Sequence, residues 1–492
     1  MDHSEAPVLD ALAAYHRRRY LPFTPPGHKQ GRGADPRVRA VLGDDVFRAD
    51  VLATAGLDDR MSSARVLERA QELMADAVGA EHTFFSTCGS SLSVKSAMLS
   101  VAGPHEKLLV GRDAHKSVVA GLILAGIRPI WVEPRWDPEL RLAHPPSATA
   151  YERHFAEHPD ARGALVTSPT PYGTSGDLSA ITKVCHDRDL PLIVDEAWGA
   201  HLPFHPELPT WAMDAGADVC VTSVHKMGSG LEQSSVFHLQ GGRVDPAVLS
   251  AREDLLGTTS PSVLVYAALD GWRRQMVEEG RDLLQAALDV ARSVRAEIAG
   301  IEGMRVHGEA DFLGPNRAAE MDPLQLIIDI SALGVTGYSA ADWLREHHRV
   351  NLHVSDHRRI SAQLTYADDE ESVRPFLAAL HHLAQEAGRE DGELDRAGEI
   401  RVPTPEEVRL DLVHLPRDAF FGRTEQVPIE RAAGRVVAEM LTPYPPGIPV
   451  ALPGERLNDA VVDYLRTGVE TGMVIPDATD PEVKSIRVYR EP

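Results

Sequence analysis

Between residues 64 and 240 one pattern recurs, a short, almost wholly apolar run followed by a helical stretch. The runs are Thr83-Phe84-Phe85, Lys107-Leu108-Leu109-Val110, Ile130-Trp131-Val132, Ala164-Leu165-Val166-Thr167, Leu192-Ile193-Val194 and Val219-Cys220-Val221-Thr222. Strands that do not alternate with polar residues are buried on both faces. Joined by helices, they predict an α/β layer with a mainly parallel sheet. Helical spacing is clear from Ser63 to Gly79, where Val66, Leu67, Ala70, Leu73, Met74 and Ala77 share one face, and again over His115 to Ala125.

Beyond residue 262 the style changes. Residues 264–300 read as long helix, Leu326-Ile327-Ile328-Asp329-Ile330 and Val350-Asn351-Leu352-His353-Val354 as strands, and 372–386 as helix. The polar stretch 388–401 reads as a linker. After it comes a region containing Tyr444-Pro445-Pro446-Gly447-Ile448-Pro449-Val450, too rich in proline for the interior of a regular element. The expected organisation is an N-terminal segment (1–60), a large domain (61–265), a smaller α/β domain (266–390) and a C-terminal α+β domain (391–492).

The formal net charge of −23 argues against a general nucleic-acid binder, which needs a basic face. Cys88, Cys185 and Cys220 are far apart and share no metal-ligand spacing, so neither a metal site nor a disulfide framework is expected. No run approaches the length of a membrane span. The acidic start Met1-Asp2-His3-Ser4-Glu5 lacks the marks of a secretory leader. The expectation is a soluble, cytoplasmic protein.

Chemistry concentrates at three strand ends. Ser223-Val224-His225-Lys226 follows the run that ends at Thr222. A lysine there is usually solvated or salt-bridged. About thirty residues earlier, however, Asp195-Glu196-Ala197-Trp198 follows another apolar run, and the carboxyl ends of strands converge on the ligand crevice in open α/β sheets. Gly89-Ser90-Ser91 lies between a strand and a helix. Taken alone it is a helix cap, but glycine there permits close backbone approach, and N–H groups at a helix start attract phosphate. Together the three meet the requirements of pyridoxal phosphate: a lysine for the Schiff base, an acid for the pyridinium nitrogen and a helix N-terminus for the phosphate.

Further matches carry a specific resemblance: Pro26-Gly27-His28-Lys29, Asp113-Ala114-His115-Lys116-Ser117, Thr258-Thr259-Ser260-Pro261, Pro445-Pro446-Gly447-Ile448-Pro449 and Pro453-Gly454-Glu455. In order and spacing the chain resembles the bacterial ornithine/lysine/arginine decarboxylases of pyridoxal phosphate fold type I (aspartate aminotransferase-like), in the short form without an N-terminal wing domain. The resemblance implies decarboxylation of a basic amino acid, arginine slightly ahead of lysine and ornithine, in a homodimer or larger assembly. It implies that Lys226 carries the cofactor, Asp195 faces its ring nitrogen, His115 stacks on the ring and Ala197 packs on the opposite face. Ser90, Ser91, Ser223 and His225 would contact the phosphate or flank the lysine, and Trp198 would lie beside the ring. Thr258 would reach the phosphate of a partner subunit, and His225 or Lys226 would return a proton to the substrate. Glu455 would read the distal cation. For Trp198 a plain core position and for Glu455 a surface position are the bland alternatives. His28 and Lys29 carry no derivable role, and Asp58-Asp59 reads as structural. Two departures stand out, glycine-rich Met227-Gly228-Ser229-Gly230 and Cys88 before Gly89, with loop flexibility or substrate choice as their expected consequence. An aminotransferase or other lyase on the same fold, or a non-catalytic paralogue, are the competing functions.

Overall fold

The computed structural model describes every residue except 54–56, 58–64, 390, 395–402, 405, 445–446 and 492. Asp58-Asp59, Pro445-Pro446 and much of the expected linker therefore lie outside the described residues. The chain forms two compact units, one of residues 1–101 and 185–283, the other of residues 102–184 and 284–492.

In the first unit, strands His82–Ser86 and Ser235–Leu239 pair antiparallel, and Ser235–Leu239 pairs antiparallel with Val219–Ser223. Val219–Ser223 then runs parallel to Leu192–Asp195, with Asp195 opposite Val221. Every residue of these last two strands is buried, which is why they read as unbroken apolar runs. Helix Ser90–Val101 packs on this sheet and on helix Pro246–Leu256. Helix Val66–Val78 buries Ala70, Leu73, Met74, Ala75 and Val78, close to the face its spacing predicts, and ends on Gly79 at φ +71°.

In the second unit, Lys107–Gly111 lies between Arg128–Val132 and Ala161–Thr167, parallel to both. Tyr151, on helix Ala148–Glu157, is fully buried and donates its hydroxyl to the Leu165 carbonyl at 2.9 Å. A four-stranded antiparallel sheet follows, in the order Arg305–His307, Gln325–Asp329, Arg359–Gln363, Val354–Ser355. Here one expectation is corrected. Residues 350–353 are irregular, and of the expected strand only Val354 is in one, the short strand Val354–Ser355. The pairing expected of it comes from Arg359–Gln363. That segment does not look like a buried strand because Arg359 and Ser361 are polar, yet both are buried. Asp356 accepts from Arg359 at 3.1 Å, and the Ser361 hydroxyl bonds both backbone groups of Val354. Satisfied polar groups replace the apolar signal.

Residues 410–488 have their own core, with Val437, Leu441, Val461, Leu465, Ile475, Ile486 and Val488 at its centre. Helix Asp459–Glu470 and the antiparallel pair Thr424–Pro428/Ser485–Tyr489 frame it, an α+β arrangement. Among the described residues no helix is long and apolar enough to cross a membrane.

Candidate active site

The site in the first unit is built by sheet register. Because Asp195 stands opposite Val221 in a parallel pair, both strands end on the same edge. Val219–Ser223 runs on into a single helical turn, Val224–Met227, that carries His225 and Lys226. Lys226 Nζ lies 3.8 Å from the centroid of the Trp198 ring. Burial lowers its pKa from 10.5 to about 8, against the opposing pull of Asp195. Asp195 is itself buried. Desolvation raises its pKa, partly offset by the charge of Lys226 and by the Ala197 N–H. Among the described residues Asp195 Oδ1 has no hydrogen-bond partner. A buried acceptor without a donor is costly in an empty protein and suited to a ligand that brings one.

Ser223 Oγ donates to Ser90 Oγ at 2.7 Å, tying the strand end to the first residue of helix Ser90–Val101. Ser93 and Ser235 repeat the contact one turn deeper, at 3.0 Å. These small hydroxyl side chains let the helix start sit close to the sheet. Gly89 precedes it at φ +73°, with open space where a Cβ would stand. The Gly89 N–H donates to the Gln233 carbonyl and the Leu92 N–H to the Gly89 carbonyl, so the helix-start N–H groups placed to attract an anion are those of Ser90 and Ser91. Ser91 is exposed at the same end, and Ala197 is buried, its carbonyl accepting from the Ser223 N–H. His225 Nδ1 lies 3.0 Å from the Ser234 carbonyl. A carbonyl only accepts, so Nδ1 carries the proton. Thr258 is exposed, and its hydroxyl accepts from the Ser260 N–H.

The glycines after Lys226 have a packing explanation. A Cβ on Gly228 would stand 2.7 Å from the Trp272 indole, and one on Gly230 2.7 Å from Ser234 Cβ. Close approach accounts for both glycines. Glu196, unremarked beside Asp195, points away from it: its Oε2 accepts from the Ala212 N–H at 3.3 Å and the Cys220 thiol at 3.1 Å. His28 pairs with Asp50 at 3.1 Å, and Lys29, at φ +51°, donates to the Thr24 carbonyl, so this motif forms a turn.

His115 and Glu455 belong to the second unit. His115 caps helix Lys116–Ala125, its Nδ1 accepting from the Ser117 N–H at 3.2 Å. Gly447 lies against the imidazole, where a Cβ would come within 3.1 Å of Cδ2 and 3.2 Å of Nε2. Glu455 is fully buried, not a surface residue. Its Oε2 accepts from Leu452 N at 3.0 Å and Arg112 Nη2 at 3.3 Å, and burial raises its pKa to about 7. Asp113, buried beside Arg112 in sequence, is likewise pushed up to about 7. Arg112 escaped the sequence reading. Its only signal was its place just past the Lys107–Gly111 strand.

The Orn/Lys/Arg decarboxylase major-domain family matches residues 6–372, and the C-terminal domain of the same family matches residues 409–480. The chain belongs to the Orn/Lys/Arg decarboxylase family. It is 37% identical to an arginine decarboxylase of Bacillus anthracis over 99% of this chain and 98% of that one. It is 36% identical to an arginine decarboxylase of Bacillus subtilis (strain 168) over 100% and 99%. Its fold matches the constitutive lysine decarboxylase of E. coli with a TM-score of 0.81 at 21% identity, over 99% of this chain and 82% of that one. The α/β architecture is that of fold type I, with the expected C-terminal domain present.

The lysine makes one pH prediction for the cofactor-free protein. Between about 8 and 10.5 the unfolded state binds more protons at Lys226 than the folded state does. The contribution of Lys226 to stability therefore rises with pH across that window. Denaturant titrations at its two ends should show a smaller rise in Lys226→Met than in wild type. An equal rise would show that Lys226 is not desolvated.

Proposed function

We propose that this protein is a pyridoxal phosphate-dependent decarboxylase of basic amino acids, with arginine as the preferred substrate. The observation that carries the proposal is a desolvated lysine beside a buried, half-unpartnered aspartate at adjoining strand ends, in a chain that aligns with arginine decarboxylases end to end. The residues fit the cofactor. Asp195 Oδ1 offers a buried acceptor to a protonated ring nitrogen, and Ser90 and Ser91, after the unobstructed Gly89, offer helix-start N–H groups and hydroxyls to a phosphate. Bound pyridoxal phosphate supplies a sink for the electron pair left when the bond from the α-carbon to the carboxylate breaks.

The chain's own groups do the rest. A lysine held near 8 has far more neutral amine at pH 7 than an ordinary lysine, about a tenth of the total, which makes it the better nucleophile. The Trp198 ring beside Nζ excludes water from one side of that amine. Asp195 holds a negative charge where a positive one must persist. Ala197 leaves room for a flat ring, and for His115 we carry over the family's part of the imidazole that stacks on the cofactor. Lys226, or His225 through Nε2, returns a proton to the α-carbon. Reaction choice lies with the groups that hold the carboxylate bond in line, because the same cofactor serves transamination when another bond is aligned.

Supplying protein and cofactor with arginine, lysine, ornithine and neutral or acidic amino acids should convert arginine fastest, to agmatine and carbon dioxide. Keto-acid formation without carbon dioxide would overturn the reading. Exposed Thr258 suits completion of a neighbouring subunit's phosphate site, and we infer a homodimer at minimum. Sedimentation of a fully active monomer would refute that.

A further inference from the structure

We propose that Glu455 is a positioning residue: through Arg112 and residues 447–452 it fixes the His115 imidazole. The inference takes the role of His115 from the reading above. The geometry begins with the carboxylate. Oε2 holds the Leu452 N–H while the Glu455 N–H returns to the Leu452 carbonyl at 3.1 Å, so the side chain closes the 452–455 turn. Gly454 permits that turn at φ +95°, where a Cβ would strike the His414 carbonyl.

The same Oε2 engages Arg112, whose guanidinium also donates to the Pro449 carbonyl at 2.7 Å and the Val450 carbonyl at 3.2 Å and lies 5.1 Å over the Trp131 ring. A planar fork with three acceptors holds the segment at one angle. Arg112 thus takes up one oxygen of Glu455, while Oε1 is buried with no hydrogen-bond partner among the described residues.

From this clamp the segment reaches His115 by two routes. Gly447 accepts from the Lys116 N–H at 3.1 Å and lies along the Cδ2–Nε2 edge of the ring, where no side chain would fit, while the cap bond fixes Nδ1. Leu452 packs with Val119 and Ile123 on the helix that His115 caps. Releasing Arg112 frees the backbone that confines one edge of the imidazole.

The experiment compares Glu455→Gln, His115→Ala, their double variant and Gly447→Ala with wild-type holoenzyme. It reads kcat and KM for arginine and lysine, and the absorbance of bound pyridoxal phosphate. Glu455→Gln should lower kcat roughly tenfold with KM for arginine within about threefold and the arginine-to-lysine preference kept. In the His115→Ala background it should have no further effect, because both changes act on one element. Gly447→Ala should reproduce the loss in kcat without touching the carboxylate. A rise in KM of about a hundredfold with altered preference would make Glu455 a substrate reader and overturn the proposal. So would multiplied losses in the double variant. If Glu455→Gln does not fold, Gly447→Ala decides alone, an effect confined to KM overturning the proposal. If wild type turns over no basic amino acid, the decarboxylase reading fails separately. The cofactor absorbance then decides, since Glu455→Gln must shift it as His115→Ala does.

Discussion

Replacing Lys226 with alanine is expected to lower kcat for arginine decarboxylation by about 10⁴-fold or more, to background, while the protein stays folded. The loss is large because no other described amine stands at this strand end to replace the covalent attachment. The retained fold follows from the same burial. A desolvated ammonium is disfavoured in the native state, as its lowered pKa shows, so its removal takes away a destabilising charge. The ammonium stands over the Trp198 ring, a favourable contact whose loss limits the gain. Steady-state assays with a thermal melt on the same samples check both halves. Retained decarboxylation would end the assignment, and a collapsed fold would show that Lys226 is structural.

Asp195→Asn is the second large effect, expected to lower kcat roughly 10³-fold with little change in KM. The substitution keeps shape and volume. The loss is of charge alone, in a buried place where charge is least screened. Without a cofactor, desolvation holds the Asp195 carboxyl above its ordinary pKa, offset in part by Lys226. A protonated ring nitrogen at the bare Oδ1 would pull it the other way, and an amide cannot stabilise that proton as a carboxylate does. The Asp195→Asn protein should therefore bind cofactor more weakly, read as faster loss of absorbance on dialysis. Unchanged turnover would remove Asp195 from the reaction. Glu196→Gln is the contrasting case, since that carboxylate serves Ala212 and Cys220 and its loss should fall on stability.

Much of the first unit was legible because its signals are local. Burial on both faces writes an apolar run into the sequence, and the observed strands His82–Ser86, Leu192–Asp195 and Val219–Ser223 lie where those runs are. A glycine before a helix start, or a lysine one turn past a strand, marks its own place. Arg359–Gln363 was missed because hydrogen bonding, not hydrophobicity, satisfies its buried residues. The glycines at 228 and 230 suggested mobility, since the residues they press against, Trp272 and Ser234, give no sign of that contact in sequence.

The sequence by itself determined the order of buried strands and helices, the family and the placing of Lys226, Asp195 and Ser90 at element ends, all set by backbone periodicity and short-range chemistry. Only the tertiary structure decided which face of the chain each charge meets. Arg112 and Glu455 stand 343 residues apart, yet share one hydrogen bond. The reason is physical. Periodicity is a property of neighbours along the chain, whereas the field around a buried carboxylate is made by whatever folding brings within a few ångströms of it.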